Sequence, residues 1–171
     1  SLVCLFVVLV CYVMIWTNGK HVKIYHKITV HLCISLIGVL VGFLAGVTRS
    51  GRGAVSCQLS GMALHFFALA SFMWMLIEAM NILRNFVRVL PQMESKKNLT
   101  RNAWLAWLLP LGVVIVAGTA RPVGYVSEEY CWIAEPGLFY AAMLAPVAAM
   151  VTVNVAVLVA AAFYGGFRAG V

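Results

Sequence analysis

Ionisable side chains stand where lone charges are costly, and His31 and Glu78 are such residues, each inside a long, largely apolar run. A carboxylate such as Glu78 costs roughly 2.5–3.5 kcal/mol to bury at the centre of a lipid-embedded helix, so it must face other protein and find a partner. An imidazole and a carboxylate together suit acid–base catalysis, metal ligation, or a relay for protons or cations. The rest of the chain supports none of these. It has no HExxH, no GxSxG, no clustered carboxylates and no Asp at all, so neither an enzyme nor a metal centre is expected, and no cofactor. A channel or transporter predicts further intramembrane charges or paired broken helices, and the sequence has neither. What remains is a polar contact between helices. Such a pair adds little stability when made but leaves an uncompensated charge when broken, which suits a switch between two packings.

The elements that position such a contact are membrane spans. Of the 171 residues 64% are hydrophobic and 10% charged, more apolar surface than a soluble domain of this length can hide. The fold class is therefore all-α, a polytopic transmembrane helical bundle. Apolar runs at residues 2–16, 28–47, 59–83, 103–120 and 138–164 give five spans. The first is shorter than the ~20 residues a span needs. No basic segment precedes it and no small-residue cleavage site follows, so it reads as a truncated span rather than a signal peptide. The net charge of +7 raises nucleic acid as a partner, but the basic residues sit in short loops between the apolar runs. That is the pattern of a protein whose partner is the lipid bilayer, not nucleic acid.

Loop charges set the orientation. Lys20, Lys23 and Lys27 lie in the first loop, Arg84, Arg88, Lys96, Lys97 and Arg101 in the third, and Arg168 in the tail; the second has Arg49 and Arg52, and the fourth sets Arg121 against Glu128, Glu129 and Glu135. The odd loops are thus expected inside and the amino terminus outside. Cys4, Cys11 and Cys33 fall within apolar runs as inert small hydrophobes, whereas Cys57 and Cys131 fall at loop edges on the oxidising side. A disulfide between those two is expected, the alternative being two free thiols. The Asn98-Leu99-Thr100 sequon falls inside and should be unmodified. His31 lies four residues past Lys27, about 6 Å, and Glu78 six before Arg84, about 9 Å, so the two reach similar depth on antiparallel spans. Each could instead bond locally or reach interfacial water. Pro110 and Pro146 sit inside the last two spans and deprive the carbonyls of Ala106 and Ala142 of their helical donors. Asn154, two turns beyond Pro146, should face the bundle, either as interhelical glue or as a functional group.

The third span resembles the third helix of adhesion G-protein-coupled receptors, whose pattern is His-x-Phe-x-Leu-Ala-x-Phe-x-Trp-Met-x-x-Glu. His65, Phe67, Leu69, Ala70, Phe72, Trp74, Met75 and Glu78 meet every fixed position. Elsewhere His31-Leu32 resembles the start of the family's second helix, Trp107 with Pro110 its Trp-x-x-Pro in the fourth, Tyr130-Cys131-Trp132 the Cys-Trp of its second extracellular loop, and Pro146 with Asn154 its fifth helix. The likeness runs from about Lys23 to Val159. Secretin-type hormone receptors share the cysteine pair, His31 and Glu78, but the Phe67 to Trp74 run looks more like the adhesion branch. Rhodopsin-like receptors fit poorly, because no Asp-Arg-Tyr closes the third span. Ala79 stands where the family usually has Gly.

The resemblance implies a signalling receptor that changes helix packing when an extracellular ligand binds, in this family usually a tethered peptide, and so activates a heterotrimeric G protein. It makes His31 and Glu78 part of an activation network at the cytoplasmic end. It places Phe67, Ala70, Met73 and Trp132 where the ligand pocket would be, though Phe67 and Met73 equally suit lipid contact or core packing. Trp107, Pro110, Pro146 and Asn154 become kink and packing positions. With five of seven spans, the chain reads as a receptor fragment. The alternatives are a truncated, non-signalling membrane scaffold, a secretin-type hormone receptor and, further off, a channel or transporter.

Overall fold

A computed structural model of the chain describes residues 24–46, 54–87, 96–127 and 129–169, together with Val10. The run at residues 2–16, Cys4, Cys11, Lys20, Lys23, Arg49, Arg52, Arg88 and Glu128 lie outside the described residues, except for Val10 in that run.

Helices α1 (Ile24–Gly46), α2 (Ala54–Val87) and α3 (Lys96–Ala120) follow one another. A 3₁₀ turn at Pro122–Tyr125 leads into the loop before the last rod. That rod begins with α4 (Pro136–Leu138), widens into a π-helical segment, Phe139–Leu144, and continues as α5 (Ala145–Ala169). Pro136 suits a helix start, because the first-turn N–H it lacks has no intrahelical partner there. Among the described residues four stretches are long and apolar enough to cross a membrane: Lys27–Gly46, Val55–Arg84, Asn98–Ala120 and Pro136–Gly165. The helices overrun the apolar runs because in lipid every backbone N–H and C=O must be satisfied within the segment, and nothing in the polar flanks breaks the ladder. One consequence is local: Cys57 lies in the first turn of α2 rather than at a loop edge.

Helix α2 is the centre of the bundle and packs against α1, α3 and α5. Its approach to α1 depends on glycines at a spacing of four. A Cβ on Gly38 would strike the Phe67 ring, and one on Gly42 would lie 3.2 Å from the Leu64 Cα. Small residues at this spacing let two backbones close together where lipid offers no hydrophobic drive between helices. Buried Ser35 and Ser71 satisfy their hydroxyls on the carbonyls of Leu32 and Ala68, each at 2.8 Å.

Among the described residues two apolar clusters hold the bundle. One gathers Ile28, Trp74 and Ala106 with Leu32, Met73, Ile77, Leu99, Ala103 and Trp107. The other joins Ala117, Tyr125, Ile133 and Leu138 with Met62, Trp132, Phe139, Ala142 and Met143. Phe43 and Leu44 on α1, Trp104 and Leu108 on α3, and Val159 and Phe163 on α5 are exposed, as suits helices whose solvent is hydrocarbon.

Candidate functional site

At the end of the bundle that holds the second cluster, the loop after α3 is fastened to three elements. Cys131 is bonded to Cys57 of α2, so the expected disulfide is in place. Its N–H donates to the carbonyl of Gly46, the last residue of α1, at 3.0 Å. Further along, Ala134 N–H donates to the Gly124 carbonyl at 2.8 Å, and Arg121 meets Glu135 at 3.6 Å across an exposed edge. Gly46 is needed for this strap, because a Cβ there would lie 2.9 Å from the Cys131 carbonyl oxygen.

Under the strapped loop lies a cavity of about 520 Å³ lined by Val39, Phe43, Gly46, Leu64, Ala68, Tyr130, Cys131, Trp132 and Met143. Its walls are side chains of α1 and α2, the loop, and the π segment. A half-open, almost wholly apolar cavity suits an apolar ligand or peptide side chain. Of the expected pocket residues, Trp132 lines it. Phe67 packs on Gly38, Ala70 is fully buried, and Met73 belongs to the cluster around Trp74, and none of the three lines this cavity. Leu64 and Ala68, one turn apart, present α2 to the cavity.

Behind Trp132 is His65, fully buried, its ring 6.4 Å from the indole and edge-on to it. Both ring nitrogens have partners. The Ala142 carbonyl can only accept, so Nε2–H donates to it at 3.0 Å. In the neutral ring Nδ1 then accepts, and the Tyr125 hydroxyl donates to it at 2.8 Å. Burial pushes the Tyr125 phenol up to about 12, so it keeps its proton at physiological pH. The residues His65 and Tyr125 carry no expectation from sequence beyond the family pattern. The signal was available for His65, an ionisable side chain inside an apolar span, subject to the same demand for a partner as Glu78.

Among residues of the first cluster, His31 lies flat against Trp74, with ring centroids 4.5 Å apart and planes 6° apart, and edge-on to Trp107 at 6.2 Å. Glu78 accepts a hydrogen bond from the Thr29 hydroxyl at 3.5 Å, a long contact. The depth expected of Glu78 is thus met by a residue two positions from His31, but no direct bond joins His31 to Glu78 among the described residues. Pro110 is fully buried, Asn154 is half-buried with its Oδ1 enclosed, and neither that oxygen nor Trp74 Nε1 meets a hydrogen-bond partner among the described residues. Arg84 and Arg101 lie near the ends of α2 and α3, half-buried and exposed respectively. No three His, Cys, Asp or Glu side chains gather as a metal site would require among the described residues.

Comparison with known proteins gives the chain a family. The profile of the family described as "7 transmembrane receptor (Secretin family)" matches residues 1–164. The chain is 35% identical over 132 residues to mouse adhesion G protein-coupled receptor B3, covering 76% of this chain and 8% of that protein. It is 30% identical over 162 residues to rat adhesion G protein-coupled receptor E2, covering 92% and 17%. Against human adhesion G protein-coupled receptor B2 the identity is 33% over 156 residues, covering 90% and 9%. The chain thus spans less than a fifth of the length of each of these relatives.

Proposed function

The chain belongs to the secretin family of seven-transmembrane receptors, with adhesion receptors as its relatives, and from that premise we propose that it is the five-span part of a larger signalling receptor. As such it is a multi-pass plasma membrane protein and a receptor rather than an enzyme. In the proposed reading its amino terminus is extracellular, and the strapped loop with its cavity faces outward. An extracellular agonist, a tethered peptide in the adhesion manner, enters that cavity and binds one helix packing better than the other. The packings differ at the opposite end, where His31, Trp74, Thr29 and Glu78 hold the resting arrangement, and a heterotrimeric G protein reads the change.

The observation that carries this reading is the half-open cavity itself, bordered by a loop held on one side by the Cys57–Cys131 bond and on the other by Gly46. Its distance from the Glu78 region requires a shift of helices rather than a direct contact. Energetically, a ligand moves such an equilibrium only by its differential affinity, and a hundredfold preference corresponds to about 2.7 kcal/mol.

The test is guanine-nucleotide exchange on a purified heterotrimeric G protein by membranes that contain the complete receptor. A synthetic peptide copying the receptor's own extracellular segment ahead of the first span should accelerate exchange. Equal rates with and without it, over a panel of G-protein classes, would overturn the proposal.

A further inference from the structure

The last rod contains two irregularities that meet at one atom. Its π segment, Phe139–Leu144, has the i→i+5 bonding that widens a turn by one residue, as in the Ala145 N–H bond to the Tyr140 carbonyl. Just beyond stands Pro146, which has no N–H to offer the Ala142 carbonyl four residues back. That carbonyl is the one that accepts from His65 Nε2 at 3.0 Å. An imidazole of α2 therefore supplies to that carbonyl the donor that an α-helical ladder would draw from residue 146.

We propose that His65 is the positioning residue of the last rod: it stands in for the missing N–H of Pro146 and holds the wide turn in place, linking the outer cavity to the rotation of α5. The link rests on three further contacts. Tyr125, at the end of the 3₁₀ turn, donates to Nδ1 at 2.8 Å and so fixes the tautomer that leaves Nε2 protonated. Trp132 lies edge-on to the imidazole and lines the cavity. Met143, next in sequence to Ala142, lines the same cavity. A ligand there touches both neighbours of the His65–Ala142 bond. When that bond breaks, the wide turn loses its cross-brace, and conversion to α geometry removes one residue from the turn. Everything beyond Ala145 then turns by about 100° and shifts by about 1.5 Å. The signalling role of this motion rests on the receptor reading above; the hydrogen-bond substitution does not.

The test uses the complete receptor purified in detergent, with His65→Leu or His65→Gln, each with and without Pro146→Ala. Leucine leaves the Ala142 carbonyl and the Tyr125 hydroxyl unpaired, and an apparent melting temperature lower by roughly 3–8 °C is expected. Glutamine retains an amide N–H that can donate to the carbonyl, and should lose less than half as much. Pro146→Ala restores the backbone donor to the Ala142 carbonyl, so H65L on that background should lose less than on the parent, the part that remains being that of the unpaired Tyr125 hydroxyl. A positional readout separates bracing from simple packing: nitroxides attached through Val41→Cys and Val159→Cys, both exposed, should report a distance changed by several ångströms in H65L and unchanged in H65Q. Equal losses of H65L on both backgrounds, failure to fold on both, or an unmoved distance would overturn the proposal. Neither readout uses an agonist or a G protein, so a receptor without nucleotide-exchange activity fails the earlier test while leaving this one intact.

Discussion

Glu78 shows what a single residue reveals and what it hides. Its burial in a span demands a partner, and depth counted from the flanking basic residues places that partner on the helix before it. Depth does not fix azimuth: Thr29 reaches the carboxylate, while His31 lies flat on Trp74, one turn from Glu78 on the same helix. In the complete receptor Thr29→Val should weaken the resting arrangement by about 0.5 kcal/mol, the low end for a hydrogen bond as befits so long a contact, and raise basal nucleotide exchange roughly twofold. Unchanged basal exchange in both Thr29→Val and Glu78→Gln would show that the contact is packing alone. Trp74 sets a different scale. It is fully buried at the centre of its cluster, and Trp74→Ala should cost about 3–5 kcal/mol of stability, whereas Trp74→Phe keeps the ring and removes an indole N–H that has no partner among the described residues. Thermal unfolding of the two variants should separate them clearly.

Helices were legible from run length and from the charges that punctuate the runs, because a span of about 20 apolar residues has few other fates. Their rotation was not. Phe67, Ala70 and Met73 fall off the cavity face, which belongs to Leu64 and Ala68, because a step of one residue swings a side chain by about 100°. The glycines of α1 carried a further signal at a spacing of four, Gly38, Gly42 and Gly46, and it marks where α2 and the loop come close. Gly46→Ala should therefore push the Cys131 carbonyl away and cost about 1–3 kcal/mol. Among the described residues a Cβ on Gly112 in α3 would meet nothing within 4 Å beyond its own stretch of helix, so Gly112→Ala should be neutral or stabilise by up to about 1 kcal/mol. A comparison of melting temperatures checks both; equal effects would contradict the close packing of α1 against the loop. The Pro146 break was foreseen as an orphaned carbonyl at Ala142, but its donor was not, since only the folded bundle brings residue 65 to residue 142.

At the scale of the molecule, composition alone led to a membrane bundle, and the third-span pattern led to a family that the comparisons bear out. The cysteine pair was legible because sidedness leaves two cysteines outside, and the bond between them closes one side of the cavity. The cavity was not legible, because its walls come from helix and loop segments far apart in sequence. Trp132 is the loop residue that both lines the cavity and leans on His65, so its loss should weaken agonist action without unfolding the bundle. The most direct measurement is the peptide dose–response of nucleotide exchange for the complete receptor and its Trp132→Ala variant at matched surface expression. A shift to roughly ten- to thirty-fold higher peptide concentration is expected, as for removal of a buried aromatic anchor. Superimposable curves would contradict the claim that the agonist acts through this cavity.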